Sequence, residues 1–274
     1  FAFRNACGWE ACPKRVIFDK WISELIQKGP RAPLTPQGEP LPAMSTERED
    51  APLQGLGVKD GNLNKYEHTS TVSDFYFHPI IDLKNKKITP FDLSVGSLDL
   101  GHNQDFENTP KFNKKVNQIL EEKEAEVGIG GYGEVRPVYT TDAYLVHGNS
   151  GPQWRTVHLG LDIWIESETP IYVPLDGIVH SFQNNEGDRN YGPTIILEHT
   201  VSDDLTFYSL YGHLSLESLN GLKEGMKIEK GQQIATVGNF PINGNWPPHL
   251  HFQIMLDMMD WKGDFPGVAF PNER

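Results

Sequence analysis

The stretch Leu205-Thr206-Phe207-Tyr208-Ser209-Leu210-Tyr211-Gly212-His213 decides the fold class, because aromatic and aliphatic residues run through it up to a glycine. Such composition predicts a β-strand that ends at a turn. Similar stretches with turn residues between them predict further strands at 170–179, 194–199, 232–237 and 249–256. Short strands at this spacing favour an antiparallel sandwich or barrel-like core.

The first half of the chain has a different texture. Apolar residues with helical spacing predict helices over 16–26 and 112–127, the second one closed by Gly128. Six prolines between residues 30 and 52 predict an extended arm. The glycine-rich run 128–133 lacks the Gly-Lys-Ser/Thr of a phosphate-binding loop and is interpreted as a flexible hinge.

These patterns predict an α+β protein of two domains. Residues 1–131 form a smaller mixed N-terminal region with helices and the proline-rich arm at 30–52. Residues 132–274 form the antiparallel core. We expect the first region to be a small α/β layer packed on the core, with a prodomain, a lid, a substrate-selecting module or a partner-binding arm as alternatives.

The charge of the chain limits its partners. The 274 residues contain 24 Lys and Arg against 37 Asp and Glu, a formal charge of −13. From Val138 onward there are 7 basic and 17 acidic residues, so this part carries −10. Acidic surfaces repel phosphate backbones, which argues against nucleic-acid binding. No apolar run approaches the length of a membrane-spanning helix, so no membrane partner is expected. The sequence gives no signal for an oligomeric state.

The compartment is not decided by the sequence. Phe1 to Asn5 contain no basic segment that leads into an apolar core, so no secretory signal is visible. Cys7 and Cys12 are too few for a disulfide framework, and we expect reduced thiols over a pair. Together with the acidic composition, these features favour the cytoplasm.

Five side chains form a pattern typical of a metal site. His158 and Asp162 lie four residues apart, His249 and His251 lie two apart, and His213 lies between the two motifs. On extended strands, residues two or four positions apart project from one face. Two histidines and one carboxylate are a common ligand set for catalytic zinc, which leaves a coordination position open for water. The remaining imidazoles are candidates for proton transfer.

These motifs resemble the M23 family of zinc metallopeptidases, with its lysostaphin-like, LytM-type fold. The resemblance covers about residues 139–265. It includes His158-x-Gly-x-Asp162, Tyr211-Gly212-His213-Leu214-Ser215 and Pro248-His249-Leu250-His251-Phe252. The resemblance implies Zn²⁺ as the cofactor, with His158, Asp162 and His251 as ligands and His213 and His249 as the catalytic pair. It also implies an antiparallel core with a groove between loops.

The function implied is that of a zinc-dependent endopeptidase acting on a peptide, such as peptidoglycan-type cross-links. The loops 184–193 and 239–248 are the predicted groove walls, and substrate contacts are predicted for Tyr191, Tyr211 and Trp246. The −10 charge argues against attraction to anionic wall polymers. The alternatives are therefore an amidase acting on a non-wall substrate, and a non-catalytic recognition module that binds zinc.

Overall fold

The computed structural model of the protein describes residues 77–97, 103–140, 142–148, 151–202 and 205–273. The predicted helix at 16–26, the arm at 30–52 and the two cysteines lie outside these residues. None of the described helices has the length and apolar character needed to span a bilayer.

The described residues form a mostly β structure with two α-helices. The strands, in chain order, are β1 (Ile88–Phe91), β2 (Val127–Gly130), β3 (Leu145–Gly148), β4 (Gly151–Trp154), β5 (Val157–His158), β6 (Leu161–Trp164), β7 (Pro170–Tyr172), β8 (Gly177–Asn185), β9 (Gly192–Ser202), β10 (Leu205–Gly212), β11 (Lys227–Ile228), β12 (Gln233–Thr236), β13 (His249–Met255) and β14 (Val268–Ala269). The helices between β1 and β2 are α1 (Asn103–Glu107) and α2 (Thr109–Glu122). Four 3₁₀ segments complete the structure, at Pro137–Thr140, Asp142–Tyr144, Leu216–Leu219 and Pro271–Glu273.

One eight-stranded sheet carries the core, in the order β1-β2-β6-β13-β10-β9-β8-β11. Only its first pair, β1 with β2, is parallel. Three two-stranded sheets accompany it, namely β12-β7, β14-β5 and β3-β4. The mostly β core is therefore confirmed. The described strands do not close into a barrel, since β1 and β11 form the two ends of the large sheet.

The two faces of β6 and β13 lie in different surroundings because side chains alternate along a strand. Ile163, Leu250 and Phe252 belong to a large apolar cluster on one face. Trp164 belongs to a second cluster, which it shares with Phe112 of α2. Asp162, His249 and His251 alternate with the first set and therefore share the face of Trp164.

Helix α2 begins where the sequence provides a cap. The Asn108 side chain accepts a hydrogen bond from the backbone N–H of Lys111 at 3.0 Å, and a proline occupies the first turn. The helix buries Phe112, Val116 and Ile119, which recur at helical spacing. This buried face packs into the cluster that contains Trp164.

The hinge predicted at 128–133 is wrong for its first three residues. Gly128, Ile129 and Gly130 lie in β2 and pair with Trp164, Ile163 and Asp162 of β6. The reason for the glycines is close packing: a Cβ on Gly128 would lie 2.4 Å from the Phe91 ring, and one on Gly130 would lie 2.7 Å from the Arg136 guanidinium. Two strands from before residue 131 thus extend the sheet, while the domain boundary itself stays a prediction.

Candidate active site

Three of the predicted residues converge at one point. His158 Nε2, His251 Nδ1 and Asp162 Oδ1 form a triangle with edges of 3.0, 3.1 and 3.1 Å. All three side chains are buried. They come from β5, β6 and β13, and His251 is the direct cross-strand partner of Asp162.

The hydrogen bonds around the triangle fix which ring nitrogens carry lone pairs. His158 Nδ1 donates to the carbonyl oxygen of Gly131 at 3.1 Å, so its Nε2 is unprotonated in the neutral ring. The Gln253 amide donates to the carbonyl of Pro266, which turns its Oε1 to accept from His251 Nε2 at 3.1 Å. In the neutral His251 ring, Nδ1 is therefore the unprotonated nitrogen, and its lone pair faces the triangle.

Two imidazole lone pairs and a carboxylate oxygen within 3.1 Å of one another repel unless a cation lies among them. Zinc bonds of about 2.0–2.2 Å in tetrahedral geometry would place such ligand atoms about 3.3–3.6 Å apart, slightly farther than they lie here. The residues therefore fit a metal ion with two nitrogen ligands and one oxygen ligand.

The buried charges around the triangle favour the metal-binding protonation states. Burial alone would raise the pKa of Asp162, but His158, Arg136 and His249 together hold it well below its usual value. Burial and the charge of Arg136 lower the pKa of His158 to about 4. Near neutral pH the site thus holds the Asp162 carboxylate and a neutral His158 imidazole, the forms in which these groups ligate metals.

Glycines flank the ligands within the sheet. Gly130, Asp162, His251 and Gly212 are successive cross-strand partners and form one row over β2, β6, β13 and β10. A Cβ on Gly130 would meet the Arg136 guanidinium, and one on Gly212 would lie 2.7 Å from the Tyr191 ring. The missing side chains give Arg136 room beside Asp162 and give Tyr191 room beside His251.

The predicted catalytic pair lies next to the triangle. The rings of His213 and His249 have centroids 4.3 Å apart, and His249 Nε2 is 3.9 Å from Asp162 Oδ1. His213 Nδ1 donates to the carbonyl of Asn243 and His249 Nδ1 to that of Pro247, each at 2.8 Å. Each histidine therefore has its Nε2 left for exchanging a proton.

His213 has a strained backbone, with a φ of 62° in the left-handed region. Three hydrogen bonds of 2.8 Å hold this residue in place: its N–H donates to Tyr191, its carbonyl accepts from Gly238, and its ring donates to Asn243. Strain of this kind costs about 1–3 kcal/mol and persists where the surroundings over-determine it. The side chain of His213 is thus held against the pocket by the fold.

A pocket of about 430 Å³ opens onto the site, with His213 and His251 in its lining. Residues 187–191 and Trp246 all belong to the pocket lining, so both of the predicted wall loops contribute. The two loops are in tight contact: a Cβ on Gly244 would lie 1.8 Å from the carbonyl oxygen of Asn190, and the Arg189 N–H donates to the Gly244 carbonyl at 2.9 Å.

The three predicted substrate contacts have different positions. Tyr191 and Trp246 line the pocket, and the Tyr191 hydroxyl is 3.4 Å from His251 Nε2. Tyr211 is fully buried in the apolar cluster on the other face of the sheet, where its hydroxyl lies 3.2 Å from Ser209 Oγ. A ring in that position does not reach a ligand in the pocket, because strand alternation points it into the core.

The site also contains residues that no motif in the sequence predicted. Arg136 donates to Asp162 Oδ2 at 2.5 Å, and nothing in its spacing from Asp162 marked this contact. Gln253 could have been found, since it continues the two-residue period of His249 and His251. Trp261, 42% exposed at the rim of the pocket, lies beyond the motifs.

Comparisons with known proteins agree with this geometry. Residues 156–261, which include all five residues of the pattern, match the model of Peptidase family M23. An uncharacterized metalloprotease of Haemophilus influenzae is 32% identical over 100 residues, which are 36% of this chain and 19% of the relative. The peptidoglycan DD-endopeptidase ShyA of Vibrio cholerae is 31% identical over 100 residues, covering 36% and 20%. The matches thus span about a fifth of the curated relatives.

Among solved structures, the catalytic domain of lysostaphin from Staphylococcus simulans is 27% identical, with 52% of this chain and 88% of that chain covered and a TM-score of 0.31. The family match includes the buried triangle and the histidine pair beside it. Residues 156–261, about two fifths of the chain, are therefore similar to Peptidase family M23.

Proposed function

We propose that this protein is a zinc-dependent endopeptidase that hydrolyses a peptide bond with the help of two histidines. The observation that carries the proposal is the triangle of His158, Asp162 and His251, whose three lone pairs need a cation. Zinc bound there supplies a Lewis acid that activates water and polarises a carbonyl group.

The histidine pair supplies the proton transfers. Burial lowers the pKa of His249 to about 4, and burial together with the neighbouring His249 and His251 holds the pKa of His213 well below its usual value. Both rings are therefore neutral near pH 7. His249, at the edge of the triangle, is placed to accept a proton from the attacking water. The same proton can then pass to the leaving amine, from His249 itself or through the unprotonated Nε2 of His213, whose ring centroid lies 4.3 Å from that of His249.

The pocket orients an extended peptide against these groups. Its lining includes the half-buried ring of Tyr191 and the exposed ring of Trp261, which offer apolar contact area, whereas the Trp246 ring is buried and only reaches the lining. A peptide held along this pocket would have its scissile bond positioned next to the triangle.

We propose peptidoglycan-type cross-links as the first substrate, on the strength of the relative named as a peptidoglycan endopeptidase. The charge of −10 on residues 138–274 favours a second candidate, a peptide or amide outside the cell wall, because anionic wall polymers gain no attraction from this surface.

The test uses purified protein loaded with zinc, with isolated peptidoglycan and a peptide library as parallel substrates. We expect cleavage of one of them, loss of that cleavage with a chelator, and its recovery when zinc is restored. Cleavage of the library alone would select the second candidate. A zinc-loaded protein that cleaves neither would overturn the peptidase proposal in favour of a non-catalytic zinc-binding module.

A further inference from the structure

A buried arginine contacts the carboxylate of the triangle from behind. The side chain of Arg136 is 2% exposed, and its Nη1 donates to Asp162 Oδ2 at 2.5 Å. Its Nε donates to Glu134 Oε2 at 2.6 Å, and Glu134 Oε1 accepts from the backbone N–H of Leu93 at 3.0 Å. The backbone of Leu93 thus holds Glu134, Glu134 holds Arg136, and Arg136 holds Asp162.

This contact divides the two oxygens of Asp162. Oδ1 faces the ring nitrogens of His158 and His251 at 3.1 Å each, whereas Oδ2 faces the guanidinium. A charge-assisted hydrogen bond to a guanidinium is about twice as strong as a neutral one and has strict geometry. Asp162 is thereby restricted to offering one oxygen to the triangle.

The placement of Arg136 is not explained by packing alone. A buried ion pair usually contributes no more stability than apolar side chains of the same volume. The guanidinium also leaves its Nη2 buried without a hydrogen-bond partner among the described residues. Gly130 lacks the Cβ that would lie 2.7 Å from this same Nη2. The local fold therefore keeps the Arg136 guanidinium beside Asp162 although one of its nitrogens, Nη2, makes no hydrogen bond within the described residues.

The charge has a chemical effect on the carboxylate. A guanidinium stays protonated at any pH of interest and withdraws electron density from the oxygen that it contacts. A carboxylate so engaged is a weaker electron donor through its other oxygen, and partners in this position typically change metal affinity or activity by about 10- to 100-fold.

We infer that Arg136 is a positioning residue, which holds Asp162 in one-oxygen coordination and limits its donor strength toward the metal. The inference rests on the proposed zinc site. It goes beyond it by assigning a role in the site to a residue outside the matched segment 156–261.

The test uses Co²⁺ in place of zinc, because the intensity of its visible absorption distinguishes four-coordinate from five-coordinate sites without any substrate. We expect the intense four-coordinate spectrum in the natural protein. In Arg136→Met and Arg136→Lys, we expect a weaker and shifted band as Asp162 turns both oxygens to the metal, or loss of Co²⁺ binding in a protein that is still folded by circular dichroism. His199→Gln is the control for destabilisation, since His199 is equally buried but lies outside the triangle, and its spectrum should match that of the natural protein.

The outcomes separate the two proposals. The proposed metal site requires that the natural protein binds Co²⁺ and that His158→Ala abolishes this binding. If either result is not obtained, the metal site is refuted. If the natural protein gives the four-coordinate spectrum and both folded Arg136 variants reproduce it, the metal site stands and the role of Arg136 is refuted. Should Arg136→Met not fold, Arg136→Lys decides, because lysine retains the buried charge without the fork geometry of the guanidinium.

Discussion

The imidazole of His249 lies flat on the indole of Trp164, with ring centroids 4.1 Å apart and planes inclined by 17°. The two residues are direct cross-strand partners on β13 and β6. The Trp164 indole also contacts two rings from earlier in the chain. Its centroid lies 5.9 Å from that of Phe91, with which it stacks, and 5.8 Å from that of Phe112 in α2. The position of a proposed catalytic histidine thus depends on side chains from before residue 131.

Substitution of Trp164 should affect stability and turnover together. We expect Trp164→Ala to lower the free energy of unfolding by about 3–5 kcal/mol, since a large buried ring is removed, and to lower kcat because His249 loses its stacking partner. Trp164→Phe should be much milder, because it keeps a ring and removes an indole N–H that has no hydrogen-bond partner in the described part of the chain. Urea denaturation and steady-state kinetics measure the two effects. Equal losses in both variants would contradict the stacking argument.

Variants of the three proposed ligands and variants of the proposed catalytic pair should differ in how much zinc they bind. His158→Ala, Asp162→Ala and His251→Ala should lose bound zinc and the stability that metal binding adds. His213→Ala and His249→Ala should keep near-normal zinc and lose about 10²- to 10⁴-fold in kcat. Metal analysis of the dialysed proteins beside activity assays distinguishes the groups. Full activity in either of the last two variants would remove that histidine from the mechanism.

Trp261 should contribute to substrate binding more than to the chemical step. Its ring is 42% exposed at the pocket rim, and removal of one aromatic contact of about 0.5–1.5 kcal/mol predicts a roughly 2- to 10-fold rise in KM for Trp261→Ala with kcat little changed. Met259→Ala is the matched control, since Met259 is 54% exposed on the same loop and does not line the pocket. A drop in kcat alone would argue that Trp261 affects the reacting groups.

Stability should fall in acid partly through His199. This fully buried side chain contacts Ser209 Oγ and the Asp176 carbonyl, and burial lowers its pKa. The unfolded chain binds a proton near pH 6.5 that the folded chain does not, so this contribution is complete above pH 6.5 and decreases as the pH falls below it. We expect His199→Gln to lose less stability between pH 7.5 and pH 5 than the natural protein, in urea titrations of the metal-free proteins. An identical loss would show that His199 does not titrate in this range.

Much of the β-rich half could be predicted because its strands carry local signals. The predicted strands at 194–199, 205–213, 232–237 and 249–256 coincide with β9, β10, β12 and β13 to within a few residues. The predicted strand at 170–179 is two strands, β7 and β8, since Pro174 in the connection has no N–H to donate to a ladder. The helix predicted at 112–127 ends earlier, at Glu122, and Val127 instead starts β2.

The site could be predicted only as far as its own motifs reach. The spacing of His249 and His251 directs both to one face of a strand, but the approach of Arg136 to Asp162 depends on the path of the chain after β2, where a turn at 132–133 brings Arg136 back to β6. Tyr211 is the opposite case, a residue that was assigned to the site although it lies in the core. It was predicted to contact substrate, whereas the alternation of side chains along β10 points its ring into the core.

The cross-strand row across the site consists of Gly130, Asp162, His251 and Gly212. Its two glycines restrict the positions of Asp162 and His251, because neighbouring side chains fill the space that a Cβ would need. A methyl group at position 130 would press on the guanidinium that holds Asp162, and one at position 212 would press on the ring beside His251. A change at position 130 would therefore displace Asp162 and a change at position 212 would displace His251, while every functional group of the site stayed in the sequence. Two residues without a functional group thus set the positions of the groups that meet in the triangle.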